Sequence, residues 1–160
     1  MKINLKKKRK EKDEGNGGFT FVETLAVLAV GAVLTAGATV SVFKTMEVAR
    51  EYSARETIAQ YKAALNSYYI DCGTYPSSEQ GLSALWQKPD LVPVPSGWHG
   101  PYLDKEVQQD PWGGDFVYIR KDSARFPSEC PENLPYVIYS YGPDHCEGGV
   151  NENADIVSWR

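Results

Sequence analysis

The sequence predicts an α+β protein in which one long N-terminal helix packs on a small antiparallel β-sheet. Two observations predict the helix: a charge-free run of 20 residues, Thr24–Phe43, and a row of apolar residues at helical spacing beyond it. A third observation predicts the sheet, because the second half of the chain holds short alternating segments between turns rich in Gly and Pro. Helical and strand patterns therefore occupy separate regions, as in α+β folds.

The long helix is predicted to run from about Thr20 to about Asp71. Its charge-free part has the length of a membrane-spanning helix, which takes about 20 apolar residues. Apolar residues in its second part predict a face packed against a small domain, and Gly73 followed by Pro76 predicts where the helix ends. This predicted core face consists of Ile58, Tyr61, Leu65 and Tyr68.

The region after Gly73 predicts turns and three short strands. Ser77 and Gln80 have the spacing of a capping box, which predicts that Tyr75–Leu85 opens a short helix, and Pro89 predicts where this helix ends. Asp110–Gly114, with the sequence DPWGG, predicts a turn. The predicted strands are Asp115–Arg120, Tyr136–Tyr141 and Ile156–Trp159.

Charge divides the chain into two parts. Residues 1–18 hold seven Lys or Arg and three acidic residues, whereas residues 19–160 hold ten basic and eighteen acidic residues. Basic residues beside an apolar helix stay on the cytoplasmic side of a membrane, so the acidic part is expected outside the cytoplasm. An acidic surface argues against a nucleic-acid partner. The catalytic fingerprints G-x-S-x-G, P-loop and H-E-x-x-H are missing from the sequence, so no enzyme is predicted.

The motif Gly18–Glu23 directly precedes the apolar run. With Gly17 it reads GGFTFVE, and it resembles the type IV prepilin signal, in which glycine precedes a large apolar residue and glutamate is the fifth residue of the mature chain. The resemblance implies that a prepilin peptidase cleaves after Gly18 and N-methylates Phe19. It also implies that the Glu23 carboxylate pairs with the amino group of Phe19 on a neighbouring subunit, which lowers the cost of both charges in a low-dielectric environment. From the residues alone, a plain signal-anchor stays open, as does a Glu23 side chain that only reaches the headgroup region.

Four segments of residues 44–160, here called the head, extend the resemblance to the major pseudopilins of type II secretion systems. Tyr75–Leu85 reads YPSSEQGLSAL, Gly100–Leu103 reads GPYL, Asp110–Gly113 reads DPWG, and Ser140–Trp159 ends in NADIVSW. These segments are similar to those of that family in order and spacing. The departures from the family pattern are the long basic leader, His145 and Cys146, and an inserted segment around Ser123–Pro135 that contains Cys130.

The resemblance implies a type IV pilin-like fold and a structural subunit. Residues 1–18 are then a basic leader peptide that is cleaved, residues 19–43 the transmembrane and filament-core helix, and residues 44–160 the periplasmic head. Such a subunit lies in the inner membrane with its N terminus in the cytoplasm, polymerises into a helical pseudopilus, and drives folded proteins across the outer membrane. The implied partners are further copies of the chain, minor pseudopilins, prepilin peptidase, and the inner-membrane assembly platform with its secretion ATPase.

Two other functions stay open at this point. A pilin of a surface type IV pilus, used in adhesion, motility or DNA uptake, has the same leader and helix, and the head segments favour the secretion subunit over it. A membrane-anchored binding module is the alternative from a different class, because four Trp and ten Tyr are compatible with a sugar-binding surface. Aromatic residues in a small domain more often form its core.

The loop Tyr141–Asp155 combines side-chain oxygens with three glycines. Calcium takes six to eight oxygen ligands in flexible geometry, so the composition suits a calcium site, and it equally suits a solvated acidic turn. The spacing is not that of an EF-hand. The resemblance to the major pseudopilins implies a calcium site at this loop. By position, the implied ligands are the side chains of Asp144 and Asp155, the backbone carbonyls of Tyr141 and Cys146, and in addition Asn151 and Asn153.

The chain has three cysteines, Cys72, Cys130 and Cys146. Because an exported head meets an oxidising compartment, a disulfide is plausible, and the sequence leaves all three pairings open. We favour Cys130–Cys146 as the pair. The alternative is a zinc site formed by His145, Cys146 and Cys130, which the irregular ligand spacing disfavours.

Overall fold

The structure, a computed structural model, describes residues 18–159 and, within this range, all side chains outside residues 36–41. The leader predicted over residues 1–18 therefore lies outside the described residues, except for Gly18. The chain divides into two compact units, one ending at Val42 and one beginning at Phe43. The domain boundaries predicted after residues 18 and 43 stay predictions.

Helix α1 spans Phe21–Cys72, in agreement with the predicted range. Thr20 is its N-cap, because the side-chain oxygen of Thr20 accepts a hydrogen bond from the N–H of Glu23 at 3.2 Å. Gly73 ends the helix. Its positive φ of 73° suits the residue after a helix, and its N–H donates to the carbonyl of Tyr69 at 2.8 Å.

In the first unit, the apolar side chains of α1 are exposed. The side chains of Phe21, Leu28 and Val33 are 78%, 66% and 73% exposed. Among the described residues, no helix combines the length and the apolar character required to cross a membrane. The membrane span predicted within residues 19–43 stays a prediction.

The second unit contains a sheet of three antiparallel strands. These are β1, Val117–Arg120, β2, Tyr136–Ser140, and β3, Ile156–Val157. Their order in the sheet is β1-β2-β3, and Tyr139 of β2 lies opposite Val117 on one side and Val157 on the other. The strands form where the sequence predicts them, but each is one or two residues shorter.

One face of the sheet packs on α1 and forms the larger core. The core face predicted for the helix is confirmed, because all four of its residues are buried there; we call them the buried stripe. The rings of Tyr61 in this stripe and Phe116 form a T-shaped pair at a centroid distance of 5.4 Å. Tyr136 and Ile138 of β2 contribute to the same core.

The opposite face of the sheet is also covered. Val137 and Tyr139, the alternate residues of β2, form a second, smaller core with Ile119 of β1. All five residues of β2 are therefore buried, because successive side chains of a strand point to opposite faces and each face here has its own core. The residues that the inserted segment adds to this second core are Phe126, Cys130 and Leu134.

The capping box closes a turn rather than opening a helix. The N–H of Ser77 donates to Oε1 of Gln80 at 2.9 Å, and the N–H of Gln80 donates to Oγ of Ser77 at 3.2 Å. Helical structure in this region is limited to a 3₁₀ helix at Leu82–Leu85, so the helix predicted from the Ser77 cap to Pro89 is much shorter than expected. The reason is Gly81, whose φ of 60° interrupts a right-handed helix.

Candidate functional site

The loop between β2 and β3 is shaped by two short 3₁₀ helices, Gly142–Asp144 and Asn151–Asn153. The chain reverses between them through Gly148 and Gly149, whose φ values are 96° and 89°. Only glycine fits at position 149, because a Cβ atom there would lie 2.1 Å from the carbonyl oxygen of Asn153. This close approach places the chain reversal directly beside the second 3₁₀ helix.

Asp155 places a partly buried carboxylate at the end of the loop. Its Oδ2 atom accepts a hydrogen bond from the N–H of Gly148 at 3.0 Å. Its Oδ1 atom is buried and has no hydrogen-bond partner among the described residues. A buried oxygen without a partner costs about 1–3 kcal/mol, and a bound cation would offset that cost.

Negative charge accumulates around this carboxylate. Burial raises the pKa of Asp155, the N–H of Gly148 lowers it, and the charges of Asp144 and Glu147 raise it again. Within the part of the chain that the structure describes, no Lys, Arg or His forms an ion pair with any of these three carboxylates. Neighbouring carboxylates without a basic partner favour a bound cation. Glu147 belongs to this group by position, although it lies outside the ligand set that the resemblance implies.

The other predicted ligands lie around the same loop. Asp144 is partly buried, and its Oδ1 atom accepts a hydrogen bond from the N–H of Cys146 at 3.1 Å. Tyr141 is half-buried, whereas Cys146, Asn151 and Asn153 are exposed. Within residues 18–159, no three His, Cys, Asp or Glu side chains are arranged to hold a metal ion. A metal at this loop therefore needs backbone carbonyl and Asn oxygens besides carboxylates, which is a mixed ligand set that calcium accepts.

All three cysteines are free thiols, so the predicted disulfide between Cys130 and Cys146 is not formed in the structure. The two side chains have different environments. The thiol of Cys130 is buried in the second core and donates to the carbonyl of Pro127 at 3.0 Å, whereas Cys146 is exposed. The zinc alternative with His145 gains no support either, since no three-ligand cluster occurs within the described residues.

The residues of the prepilin motif lie at the start of α1 and are exposed. Gly18 and Phe19 precede the helix, and the side chain of Phe19 is 77% exposed. Glu23 lies in the first turn, where the partial positive charge of a helix N-terminus favours a carboxylate. Cleavage after Gly18, methylation of Phe19 and assembly through Glu23 stay predictions.

A buried polar group that the sequence reasoning missed connects a turn to the loop. The carboxylate of Asp110 accepts hydrogen bonds from the N–H groups of Trp112 and Gly114 at 3.0 and 2.8 Å, and from the hydroxyl of Ser140. The hydroxyl oxygen of Ser140 in turn accepts from the N–H of Gly142 at 3.0 Å. The sequence held a signal for this role, because Asp at the start of a turn commonly bonds the backbone N–H two residues on.

A family model described as "Type II secretion system (T2SS), protein G" matches residues 41–159. The chain belongs to this family. The matched range contains the whole sheet, the loop with its two 3₁₀ helices, and the turn that holds Asp110.

Members of the type II secretion protein G family are similar to nearly the whole chain. The type II secretion system core protein G of Pseudomonas aeruginosa is 33% identical over 142 residues, which cover 89% of this chain and 94% of that protein. The protein of the same name from Vibrio cholerae is 30% identical over 157 residues, which cover 98% of this chain and 97% of that protein. Both relatives are named as type II secretion proteins, which favours a subunit of a secretion system over a pilin of a surface pilus.

A solved structure confirms the fold of this family member. The crystal structure of the major pseudopilin from the type 2 secretion system of enterohaemorrhagic Escherichia coli is similar, with a TM-score of 0.58 and 27% identity. The match covers 73% of this chain and 92% of that chain. The predicted α+β, pilin-like arrangement of a long helix on a small antiparallel sheet is thus confirmed.

Proposed function

We propose that this chain is the main structural subunit of a type II secretion pseudopilus. The observation that carries the proposal is the family match over residues 41–159, supported by the similar fold of the E. coli major pseudopilin. In this role, copies of the chain polymerise into a helical filament that drives folded proteins across the outer membrane. The role is structural, and no reaction is assigned to the chain.

Before assembly, residues 19–43 anchor the chain in the inner membrane with the head in the periplasm. The exposed apolar side chains of the first unit support this anchoring, since Leu25, Leu28 and Val33 are 50%, 66% and 73% exposed and such a surface is unfavourable in water. The basic residues 1–18 keep the N terminus on the cytoplasmic side. Prepilin peptidase removes this leader after Gly18 and methylates Phe19.

Glu23 joins neighbouring subunits in the filament. Its carboxylate pairs with the N-terminal amino group of Phe19 on the next copy. An opposite charge within about 4–6 Å favours the ionised carboxylate, so the pairing favours the register in which these two groups meet. Minor pseudopilins, the assembly platform and the secretion ATPase are the further partners of the filament.

The loop Tyr141–Asp155 binds calcium in the folded head. The support is the buried Oδ1 atom of Asp155, which has no partner among the described residues, and the neighbouring carboxylates without basic partners. Bound calcium would neutralise this charge and connect the two 3₁₀ helices of the loop. The proposed ligands are the side chains of Asp144, Asp155, Asn151 and Asn153 and the backbone carbonyls of Tyr141 and Cys146.

Deletion of the gene for this chain tests the proposed function in the bacterium that carries it. Export of folded proteins into the medium is expected to stop, and the wild-type gene is expected to restore it. Loss of surface fibres or of motility with unchanged protein export would contradict the proposal and favour a type IV pilus.

The mass of the chain extracted from assembled filaments tests the processing. The expected mass is that of residues 19–160 with one added methyl group. A filament subunit that still carries residue 1 would contradict the cleavage after Gly18.

A further inference from the structure

A cleft lies beside the second core, between the inserted segment and the loop Tyr141–Asp155. Its volume is about 370 Å³, which is within the range of about 300–1,000 Å³ found for small-molecule sites. The inserted segment contributes Glu129, strand β2 contributes Tyr139, and the loop contributes Glu147 and Asp155. Because the inserted segment departs from the pattern of the pseudopilins, the wall that it forms is a feature of this chain rather than of the family.

Two aromatic side chains form the floor of the cleft. Tyr139 is 6% exposed and Trp159 is half-buried, and both belong to the second core. Tyr139 is fixed by its pairing with Val157 of β3 and by a T-shaped contact with the ring of Tyr141 at 5.4 Å. The floor is therefore an aromatic surface that the fold of the head holds in place.

Negative charge surrounds this floor. Glu129, Glu147 and Asp155 line the cleft, and within the described residues no Lys, Arg or His lines it. Burial raises the pKa of the Tyr139 hydroxyl, and the neighbouring Tyr141 raises it as well. The charges of Glu147 and Asp155 raise this pKa further. The two loop carboxylates therefore lie close enough to the floor to give it a negative potential.

An organic cation fits this combination of groups. Carboxylates alone do not hold a metal ion here, because within residues 18–159 no three His, Cys, Asp or Glu side chains are arranged to do so. An organic cation packs on aromatic rings, whose faces attract positive charge. The guanidinium of arginine is planar, stacks on aromatic rings and bonds carboxylates through two N–H groups at once. The cleft therefore suits a guanidinium group.

The charge of the cleft also indicates where the guanidinium comes from. Free arginine brings a carboxylate of its own, which the acidic walls repel, whereas an arginine within a polypeptide does not. Of the four arginines that the structure describes, Arg50, Arg55 and Arg120 already pair with acidic residues of their own chain. The fourth, Arg125, belongs to the inserted segment itself. These pairings favour an arginine from a different protein.

We propose that the cleft binds an arginine side chain of a different protein, with the guanidinium on the aromatic floor and paired with Glu129 and Glu147. Asp155 is not needed for this pairing, so the cleft and the proposed calcium site are compatible. The binding requires no filament, and it therefore goes beyond the proposed function.

Calorimetric titration of the detergent-extracted full chain with a short peptide, acetyl-Gly-Arg-Gly-amide, tests the binding. Millimolar calcium is present throughout, so that the occupancy of the loop does not vary. A peptide with citrulline in place of arginine has nearly the same shape and no charge. It is expected to bind at least about tenfold more weakly, as for the loss of hydrogen bonds from a charged group. A lysine peptide is also expected to bind more weakly, because an ammonium group does not form the paired, planar contact.

Two variants of the walls locate the site. Glu129→Gln and Glu147→Gln keep the shape of the side chain, and each is expected to raise the Kd of the arginine peptide at least about tenfold. Glu132→Gln is the matched control. Glu132 is exposed in the same inserted segment, is not among the residues that line the cleft, and contacts Lys121 through its backbone carbonyl. The control is expected to stay within about twofold of the wild type.

Variants of Trp159 test the aromatic floor. Trp159→Leu removes the ring and is expected to raise the Kd about two- to fivefold, whereas Trp159→Phe keeps a ring and is expected to retain most of the affinity. Circular dichroism melting shows whether each variant is folded. If Trp159→Leu melts early, Glu129→Gln still tests the site, because Glu129 is exposed.

Three outcomes would overturn the proposal, and each leaves the role in secretion standing. The first is equal affinity for the arginine and citrulline peptides, or unchanged affinity in both Glu variants. The second is free arginine that binds as tightly as the peptide, which would assign the cleft to a small molecule. The third is self-association of the detergent-extracted chain that Glu129→Gln abolishes and the arginine peptide reverses, because a second copy would then supply the arginine.

Discussion

The two halves of helix α1 differ in the burial of their apolar side chains. In the second half, Ala54, Ile58 and Leu65 are 0%, 4% and 0% exposed. In the first half, Leu28 and Val33 are 66% and 73% exposed. Both halves gain similarly from removing apolar surface from water, about 25 cal/mol per Å². The difference therefore lies in the available partner, because the head supplies its own sheet, whereas in the proposed function the first half is covered by a membrane or by other copies.

This difference separates folding from assembly along one continuous helix. Substitutions in the second half are expected to act on the free energy of unfolding of the head. Substitutions in the first half are expected to leave that free energy unchanged and to act on insertion and polymerisation. Substitutions in each half measure how complete this separation is.

The largest expected effect is that of Leu65→Ala. Leu65 is fully buried between α1 and the sheet, so its truncation is expected to lower the free energy of unfolding by about 2–5 kcal/mol. Leu28→Ala, at an exposed position of the same helix, is expected to change it by less than about 0.5 kcal/mol. Urea unfolding of the detergent-extracted chain, followed by Trp fluorescence, measures both. Equal losses would show that the first half also belongs to the folding unit.

Removal of calcium is expected to have the next largest effect, and to act only on the head. A ligand present at a hundredfold excess over its Kd stabilises the folded state by about 2.7 kcal/mol. A chelator is therefore expected to lower the melting midpoint of a fragment that begins at Lys44, and calcium to restore it. Magnesium is expected to restore it poorly, because it requires tight octahedral geometry and keeps its waters.

Variants of two loop carboxylates test whether this response belongs to the loop. Asp144→Ala and Asp155→Ala are each expected to abolish the difference between chelator and calcium. Asp104→Ala, at an exposed position outside the loop, is expected to keep it. A wild-type melting curve that is identical in chelator and in millimolar calcium would show that the loop is only a solvated turn.

The helix and the strands were predictable because their side chains repeat. Ile58, Tyr61 and Leu65 recur at helical spacing, and their burial follows from the face they share. Val117–Arg120 alternates as a strand does, but the predicted alternation begins at Asp115, before the first paired residue, so it predicts the strand better than its ends. In the loop, Asp155 stays a predicted calcium ligand that rests on the resemblance to the pseudopilins, because composition alone also fits a solvated turn.

The second core and the free thiols were not predictable from local patterns. Phe126 and Leu134 of the inserted segment follow no helical or strand period, so only the tertiary structure shows that they cover the outer face of β2. The same covering buries Cys130, whose thiol donates a hydrogen bond to the carbonyl of Pro127. A disulfide with Cys146 depends on distance and direction in space, which the spacing of cysteines in the sequence does not give.

A smaller effect is expected from Ser77→Ala, which tests a turn of the head. The variant removes the acceptor for the N–H of Gln80, and loss of such a cap costs about 1 kcal/mol. Ser67→Ala is the control, because Ser67 is exposed and bonds only the preceding turn of its own helix; its effect is expected to stay within about 0.5 kcal/mol. Urea unfolding measures both, and equal effects would show that the Ser77–Gln80 pair does not stabilise the turn.

The smallest effect on unfolding is expected from Glu23→Ala, which is also expected to stop assembly. Within the described residues, the carboxylate of Glu23 forms no ion pair. Its removal is therefore expected to leave the free energy of unfolding of the head unchanged. The helix loses only the favourable interaction of the carboxylate with its N terminus, about 0.3–1 kcal/mol. Removal of a charge also eases membrane insertion, so the variant is expected to be inserted and processed like the wild type. Loss of filaments in this variant would then report on the pairing with Phe19 of a neighbouring copy.

Two further variants decide whether the charge of Glu23 is the cause. Glu23→Gln keeps the shape of the side chain and removes its charge, so it is expected to fail in assembly as Glu23→Ala does. Glu51→Ala removes an acidic residue from the second half of the same helix, where Glu51 forms an exposed ion pair with Arg55 at 2.9 Å, and it is expected to assemble normally because exposed pairs contribute little. Sedimentation of filaments compares the three variants, and mass spectrometry confirms that each has been cleaved. Normal filaments from Glu23→Gln would show that the carboxylate acts by shape or hydrogen bonding, and the proposed pairing of charges between copies would then be wrong.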